Sequence, residues 1–298
     1  MGIEQMITDR QEQTKAYREE KQVERDTLNS MRDAQVMEAT SYPEKYLDYL
    51  DLQAKNPQQS AGNVLLAIAQ LTEPTVFFTE SEWKEVGRYV TPQERPHGAL
   101  IFKPGKNSYV NPTPAFDIAQ TSGRPLRAPE GVAEGSPEMQ KALGALLRFA
   151  QREKVATTVD KNLDRAVLYD ERYLSIAVNP SYNEAALFQG LTVELALARA
   201  HNNGYNQDYR RKEYEFDAMS TAYLLCSRYG VPCQPPNLDY LPIAYPEEFS
   251  SAKGRSKVLD DIHLAAKLMG KSIENEIHPQ HQQERGRYGE HRQGWRGR

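Results

Sequence analysis

Glu194 is the one acid inside an otherwise apolar helical stretch, and that is where chemistry would begin. The stretch runs from Glu184 to His201 as EAALFQGLTVELALARAH, with Leu187, Phe188, Leu191, Leu195 and Ala198 at helical spacing. This spacing predicts a helix with one face in a core. Two imidazoles four residues apart on such a face, as His-Glu-x-x-His, grip a zinc ion while the glutamate activates a water. In this chain the window reads Val193-Glu194-Leu195-Ala196-Leu197. The glutamate is in place, but the aliphatic side chains of Val193 and Leu197 offer a metal no donor. Buried among aliphatics, Glu194 then needs a backbone donor or a cation such as Arg199, Arg210 or Arg211, or else it takes up a proton.

The flanks of this helix are ordered in a recognisable way. Before it, Tyr173 to Val178 alternates like a strand and ends at the turn signal Asn179-Pro180. Short strands are expected near Thr157 to Val159 and Ala166 to Tyr169, after a helix opened by Ser136-Pro137 and running to about Lys154. After it, Lys212 to Gly230 reads as a second helix stopped by glycine. This order, with "FQGLTVELALARAH" and "EYEFDAMSTAYLLCSRYG", resembles the peptidase-like domain of ArdC-type antirestriction proteins, and the ImmA/IrrE peptidases look similar at the same positions. The resemblance implies a zincin-like fold in which Val193 and Leu197 stand where the family has histidines. It also implies that Glu194 is the vestige of a general base, that Glu215 or Asp217 matches a third ligand, and that His201 falls where several members keep a further histidine. A ligand set of His201, Glu215 and Asp217 lacks the two-histidine grip and favours weak, oxygen-rich binding. The expectation is no catalytic residue, no metal and no cofactor, zinc included.

The N-terminal part carries its own resemblance. "NVLLAIAQ", an aromatic strand at Thr75 to Phe78, a short helix from Glu80 to Gly87 around Trp83, and "EWKEVGRYV" come first; strands at Gly98 to Phe102 and Pro114 to Ile118 ("FDIAQT") follow. The succession looks like the N-terminal domain of ArdC-type proteins, for which the family implies single-stranded DNA binding. Such binding needs cations for phosphates and aromatic faces for bases. The candidates are Trp83, Lys84, Arg88, Tyr89, Arg95, Lys103 and Lys106, with Phe102 and Tyr109 as further aromatic surfaces. Glu80, Glu82, Glu85 and Glu94 lie among these cations, so the patch is not a pure cationic stripe. The basic segment usual in the family before the second strand is here "TPQERPHG", with only Arg95 and His97 as cations.

The elements that must position these residues divide the chain of 298 residues. Residues 1–40 form a charged helical or disordered arm, 41–122 a small α+β domain, 123–136 a Pro/Gly-marked linker and 137–245 the degenerate zincin-like domain of helices with a small antiparallel sheet. A C-terminal helix over 246–276, with Val258, Ile262, Ala265, Ala266, Met269 and Ile273 on one face, and a disordered tail over 277–298 complete an α+β architecture with helical extensions. An apolar fraction of 39% and a mean hydropathy of -0.73 fit a soluble chain with much exposed helix, while a net charge of -4 points to no partner by itself. Cys226 and Cys233 are the only cysteines, so no disulfide framework is implied and a cytoplasmic location is expected. Cys226 reads as a small buried hydrophobe on its helix, and Cys233 as a loop residue without a neighbouring histidine. No stretch is long and apolar enough to span a membrane.

The expected function is that of a mobile-element, antirestriction-like accessory protein that binds single-stranded DNA and carries an inactive peptidase-like domain. Two alternatives stand beside it: a metal-dependent hydrolase with an altered site, and a protein-interaction scaffold working through the zincin-like surface or the C-terminal helix.

Overall fold

A computed structural model describes residues 2–104, 110–126, 131–202, 208–246 and 251–278. The chain divides into two compact units: Met1–Leu52, Gln59–Leu126 and Phe249–Ser256 in the first, and Gln53–Gln58, Arg127–Glu248 and Lys257–Arg298 in the second. Both combine helices with small sheets, the α+β class expected. No described helix is long and apolar enough to cross a membrane.

In the first unit the long helix α1 (Ile3–Ala39) is followed by α2 (Pro43–Lys55) and α3 (Ala61–Gln70). The N-terminal residues of α1 are exposed, but Leu28, Val36 and Ala39 are buried, and α1 packs on α3. Only the first part of the expected arm is therefore solvent-facing. α3 starts at Ser60, whose side chain accepts from the Asn63 amide, a cap that satisfies one of the free donors of the first turn. Its following residues, Ala61 to Ala67, are all buried.

A three-stranded antiparallel sheet has the order β1 (Phe77–Thr79), β4 (Val110–Asp117), β3 (Ala99–Pro104). Pro112 and Pro114 lie in its central strand, where a missing N–H should break the ladder. The register explains their tolerance. Pro112 is opposite Phe102 and Pro114 opposite Leu100, and the Phe102 and Leu100 amides point away from β4. The Phe102 N–H donates to Asn63 Oδ1 at 2.9 Å and the Leu100 N–H to Gln70 Oε1 at 2.9 Å. These are non-hydrogen-bonded pairs, so the proline nitrogens face outward, beyond the end of β1, which reaches only Ala115 to Asp117. Asn63 and Gln70 also donate from their amide nitrogens to the carbonyls of Phe102 (2.9 Å) and Leu100 (3.0 Å). Two amides on one face of α3 thus take the place of a neighbouring strand and close the edge of β3.

Between these strands, α4 (Glu80–Glu85) is opened by a capping box of Thr79 and Glu82. The strand β2 (Arg88–Val90) pairs with β5 (Thr121–Gly123). The sequence suggested neither strand, since three residues are too few to carry an alternation of their own.

The second unit begins with α5 (Pro137–Arg152), capped by Ser136, and continues with β6 (Ala156–Val159), β7 (Val167–Asp170), β8 (Ser175–Val178), α6 (Glu184–Asn202) and α7 (Arg211–Tyr229). The sheet order is β6-β8-β7. β7 and β8 are antiparallel, but β6 runs parallel to β8, so one of the two pairings departs from the antiparallel sheet expected. α7 stops at Gly230 with φ of 68°, a left-handed end that glycine adopts without a Cβ penalty. The short α8 (Leu241–Ala244) precedes α9 (Ala252–Ile277). On α9, Leu259, Ile262, Ala265, Ala266, Met269 and Ile273 are buried, so most of the apolar stripe expected of this helix is already covered. His263 on the same helix bonds through Nε2 with the Pro57 carbonyl at 2.9 Å, and burial lowers its pKa. It is a satisfied core histidine. The expected tail lies outside the described residues from 279 onward.

Replacing Asn63 by Leu removes both bonds to Phe102 while keeping a similar volume. The expected loss is about 2–4 kcal/mol in urea unfolding, since two backbone groups lose their partners, with faster hydrogen exchange at the Phe102 amide. An Asn63→Leu protein with unchanged stability and unchanged Phe102 exchange would remove the edge-closing role of α3.

Candidate functional site

Gly190 decides how closely α6 approaches β7. A Cβ at this position would meet Val167 Cγ2 at 2.8 Å, closer than packed atoms tolerate, so only glycine allows this approach. Residues one turn and three turns further along the same face of α6 then run beside β7. The first is Glu194, only 4% exposed. Its Oε2 accepts the Tyr169 backbone N–H at 2.9 Å and Arg211 Nη1 at 2.8 Å, while Oε1 accepts Arg211 Nη2 at 2.6 Å. This is a two-pronged guanidinium–carboxylate pair. The hydrogen bond to Glu194 raises the Arg211 pKa above its ordinary value, against the opposing effect of burial. Of the partners open to Glu194 from the sequence, the backbone donor and Arg211 are the ones used. Arg199 pairs with Glu153 at 3.1 Å and Arg210 approaches Glu213 at 3.9 Å.

Beyond Glu194 on the same face, His201 Nδ1 shares a hydrogen bond of 2.8 Å with the Tyr169 hydroxyl. Burial pushes that hydroxyl up to about 12. Tyr169 therefore stays protonated and donates to Nδ1 when the imidazole is neutral with its proton on Nε2. The His201 ring lies 4.6 Å from the Tyr209 ring, and Tyr209 stacks on Tyr214 at 5.5 Å with an interplanar angle of 14°. Burial raises the Tyr209 hydroxyl as well, and it is buried without a hydrogen-bond partner. Glu194, Arg211, Tyr169, His201, Tyr209 and Tyr214 thus form one polar and aromatic cluster, of which the sequence indicated three members. Tyr169, Tyr209 and Tyr214 carry no spacing signal that separates them from the other tyrosines of the chain.

The remaining positions implied by the family resemblance fall elsewhere. Val193 and Leu197 are buried. Glu215 is exposed and acts on Arg211 only as a weaker attraction. Asp217 is half-buried, its carboxyl pushed up to about 7, first by burial and then by the Asp261 charge. The residue that α7 directs at Glu194 is a cation from its first turn, not an acid. A metal ion there would compete with Arg211 for both oxygens of Glu194 and would find Nδ1 of His201 engaged. Among the described residues, no three His, Cys, Asp or Glu side chains converge to hold a metal. The residues present do not fit a zinc ion.

In the first unit, Trp83 is fully buried and donates from Nε1 to the Phe116 carbonyl at 2.8 Å. Phe78 meets its ring edge-on at 4.8 Å, and the Arg88 guanidinium lies 5.8 Å from its centre. Trp83 is core, and the base stacking expected of it is not available. Arg88 donates to Thr121 Oγ1 at 2.8 Å and to the carbonyls of Arg124 (2.8 Å) and Thr121 (2.9 Å). It ties β2 to β5 and is not free for a phosphate. Lys103 bonds Glu82 at 2.8 Å, while Lys84 and Arg95 both reach Glu80, at 2.9 and 3.5 Å. Lys84 first, and then Arg95, hold Glu80 below the usual carboxylate range. For Glu82, burial acts upward, but Lys103 and Thr79 outweigh it and the net shift is down. Phe102 is half-buried, with Arg32 5.9 Å over its ring. Tyr89 is 57% exposed. Lys106 and Tyr109 lie outside the described residues.

Removing one partner of the buried pair strands the other. Arg211→Met is expected to cost about 3–5 kcal/mol in urea unfolding. The double variant Glu194→Gln with Arg211→Met, which keeps an acceptor for the Tyr169 amide, should recover more than half of that loss. Additive losses would refute the coupling. Asp217 gives a pH dependence of definite sign. Its ordinary value of 3.8 is raised to about 7 in the fold, so folding binds a proton between these values and stability falls as pH rises from about 4 to about 7. Asp217→Asn should flatten that fall and stabilise the protein above pH 7 by up to about 4 kcal/mol, converted at about 1.4 kcal/mol per pKa unit. A parallel pH profile for the variant would show that Asp217 is not buried in this way.

No protein-family model matches the chain, and no curated protein matches it. Solved structures do match, two of them of one protein. One is the metal-free crystal structure of the antirestriction protein ArdC from plasmid R388, at 18% identity over 72% of this chain and 85% of that one, with a TM-score of 0.45. The other is the Mn(II)-bound structure of the same protein, at 19% identity over 74% and 92% of the two chains, also with a TM-score of 0.45. The chain is thus similar, at low identity, to the antirestriction protein ArdC from plasmid R388.

Proposed function

We propose that this chain is an ArdC-type accessory protein of a mobile element that acts by binding and not by hydrolysis, with single-stranded DNA as the ligand of the first unit. The observation that carries the non-hydrolytic half is the Glu194–Arg211 pair: a guanidinium holds both oxygens of the carboxylate that would otherwise act on a metal-bound water. The order of the two sequence resemblances supports the antirestriction role, which includes a cytoplasmic site of action.

For the DNA-binding half, the support is narrower than the sequence suggested. With Trp83 and Arg88 committed to the fold, the candidates are the exposed Tyr89 as a stacking face and Lys84 and Arg95 as phosphate ligands. Both cations share one carboxylate at a surface where side chains are more than one-third exposed. Such pairs contribute about 0–1 kcal/mol, so a phosphate displaces Glu80 at little cost. Lys103, less exposed in its pair with Glu82, is the weaker candidate.

The reading is tested with a fluorescently labelled single-stranded oligonucleotide, on protein whose zinc and manganese contents are measured in the same preparation. Binding should weaken as salt rises, with a log–log slope of about -0.7 per phosphate contacted. Combined Lys84→Ala, Tyr89→Ala and Arg95→Ala substitutions should lower affinity at least about tenfold, the order expected for one lost base stack plus two phosphate contacts. Glu194→Gln should bind DNA like the unaltered protein. No binding at low salt would remove the DNA ligand and leave a protein-interaction scaffold. Stoichiometric metal, with a chelator-sensitive hydrolase activity, would replace the proposal by an altered-site enzyme.

A further inference from the structure

The two edges of the sheet in the second unit are finished differently. On β7, Glu194 takes the outward amide of Tyr169, whereas β6 has only β8 beside it and no described strand pairs with its other side. Every residue of β6, from Ala156 to Val159, is exposed. Val159 is 70% exposed, yet it shares a face of the sheet with Thr157 and with the buried Ile176, which the register sets opposite Thr157. A strand edge without charge, bulge or cover is a template for a further strand.

The ladder to β8 fixes which backbone groups this edge offers. The Ala156 N–H donates to the Leu174 carbonyl and the Asp160 N–H to the Val178 carbonyl, both at 3.0 Å. Across a planar trans peptide the carbonyl points opposite to the N–H, so the carbonyls of Val155 and Val159 face outward. By alternation the N–H and C=O of Thr157 and the N–H of Val159 face outward too. The Val155 N–H is taken by the Ala150 carbonyl at the end of α5, at 2.9 Å.

Antiparallel strands bond only where an outward residue meets an outward residue, which leaves few registers for a second β6. In the one centred on Thr157, Val155 lies opposite Val159, Ala156 opposite Thr158 and Lys154 opposite Asp160, each pair occurring twice by symmetry. The register centred on Thr158 sets Val155 against Lys161 and Lys154 against Asn162, and one centred on Ala156 runs into α5. The stretch Glu153 to Asp160 therefore matches itself, in charge and in apolar pairing, in one allowed register. Glu153, next in line opposite Lys161, is already held by Arg199 and adds little.

We propose that β6 is a self-association edge, through which two copies of this chain join antiparallel about a twofold axis at Thr157. The two three-stranded sheets become one continuous sheet. The backbone groups of Thr157 exchange bonds across the axis, and each Val159 N–H donates to the Val155 carbonyl of the other copy. Val159 comes to lie beside the buried Val155 of the second copy and extends the apolar face that Ile176 begins, while the threonines form a cross-strand pair. A single strand pair is a small interface, so the dimer forms reversibly. The inference does not depend on the proposed DNA ligand or antirestriction role.

Sedimentation velocity of the full chain over a dilution series at low salt should show a monomer–dimer equilibrium that added salt weakens. In the same series, amide exchange should slow with concentration at Thr157 and Val159 and stay constant at Thr158, whose N–H faces β8. Thr157→Pro removes an outward N–H at an edge position that tolerates proline, and should be monomeric at every concentration with an unchanged melting temperature. Val159→Lys, at a site already exposed, should give the same result and guards against misfolding of the proline variant. Lys154→Glu should weaken association about tenfold, because both symmetric pairs become repulsive, and adding Asp160→Lys should restore it to within about threefold. A chain that stays monomeric throughout, a dimer that survives Thr157→Pro and Val159→Lys, exchange at Thr157 and Val159 that ignores concentration, or a double charge variant no better than Lys154→Glu would each overturn the proposal.

Discussion

The second unit depends on one buried ion pair. Glu194 sits in a helix whose neighbouring positions are filled by Val193, Leu195 and Leu197, all buried. A carboxylate there is tolerable only because Arg211 and the Tyr169 amide supply three donors. Such a pair adds little net stability, since the desolvation of two charges roughly cancels their attraction, but it is costly to break. Its effect is geometric. The guanidinium fork fixes the first turn of α7 against α6, and the amide contact fixes β7 against the same residue. Lysine could not reproduce this, having a point charge without a planar fork. Tyr169 then presents its hydroxyl to His201, and the aromatic column through Tyr209 to Tyr214 follows.

The same device recurs in the first unit with neutral groups. A strand at the edge of a sheet exposes backbone donors and acceptors that must be satisfied. On β3, Asn63 and Gln70 from α3 provide both. On β7, Glu194 from α6 provides an acceptor. Helix side chains therefore stand in for missing strands, which permits sheets of only three strands. The arrangement also accounts for Pro112 and Pro114 in a central strand, because the residues opposite them direct their amides at α3 and not across the ladder.

The surface of the first unit differs from a cationic groove for the same kind of reason. Arginine and tryptophan are large and carry several donors, and a small fold uses them as ties when acceptors are within reach. Arg88 spans from β2 to β5, and Trp83 anchors α4 to the backbone at Phe116. What remains for a ligand is the side of the unit where cations meet carboxylates in pairs that solvent weakens.

Local order determined the helices. The periodicity of 184–201, the glycine at 230 and the Ser136-Pro137 start are properties of a few neighbouring residues, and α5, α6 and α7 form where those signals lie. The absence of nitrogen donors at positions 193 and 197 was equally a fact of sequence, as was the need of Glu194 for a partner. Choosing Arg211 over Arg199 and Arg210 was not, because all three fall within reach of a helix end and only the crossing of α6 and α7 selects one. The strands β2 and β5 were hidden because three-residue strands depend on a partner 33 positions away, as the Arg88–Thr121 bond shows. Trp83 and Arg88 looked like ligand residues for a related reason: composition records which groups can bind, but tertiary packing decides whether protein atoms reach them first.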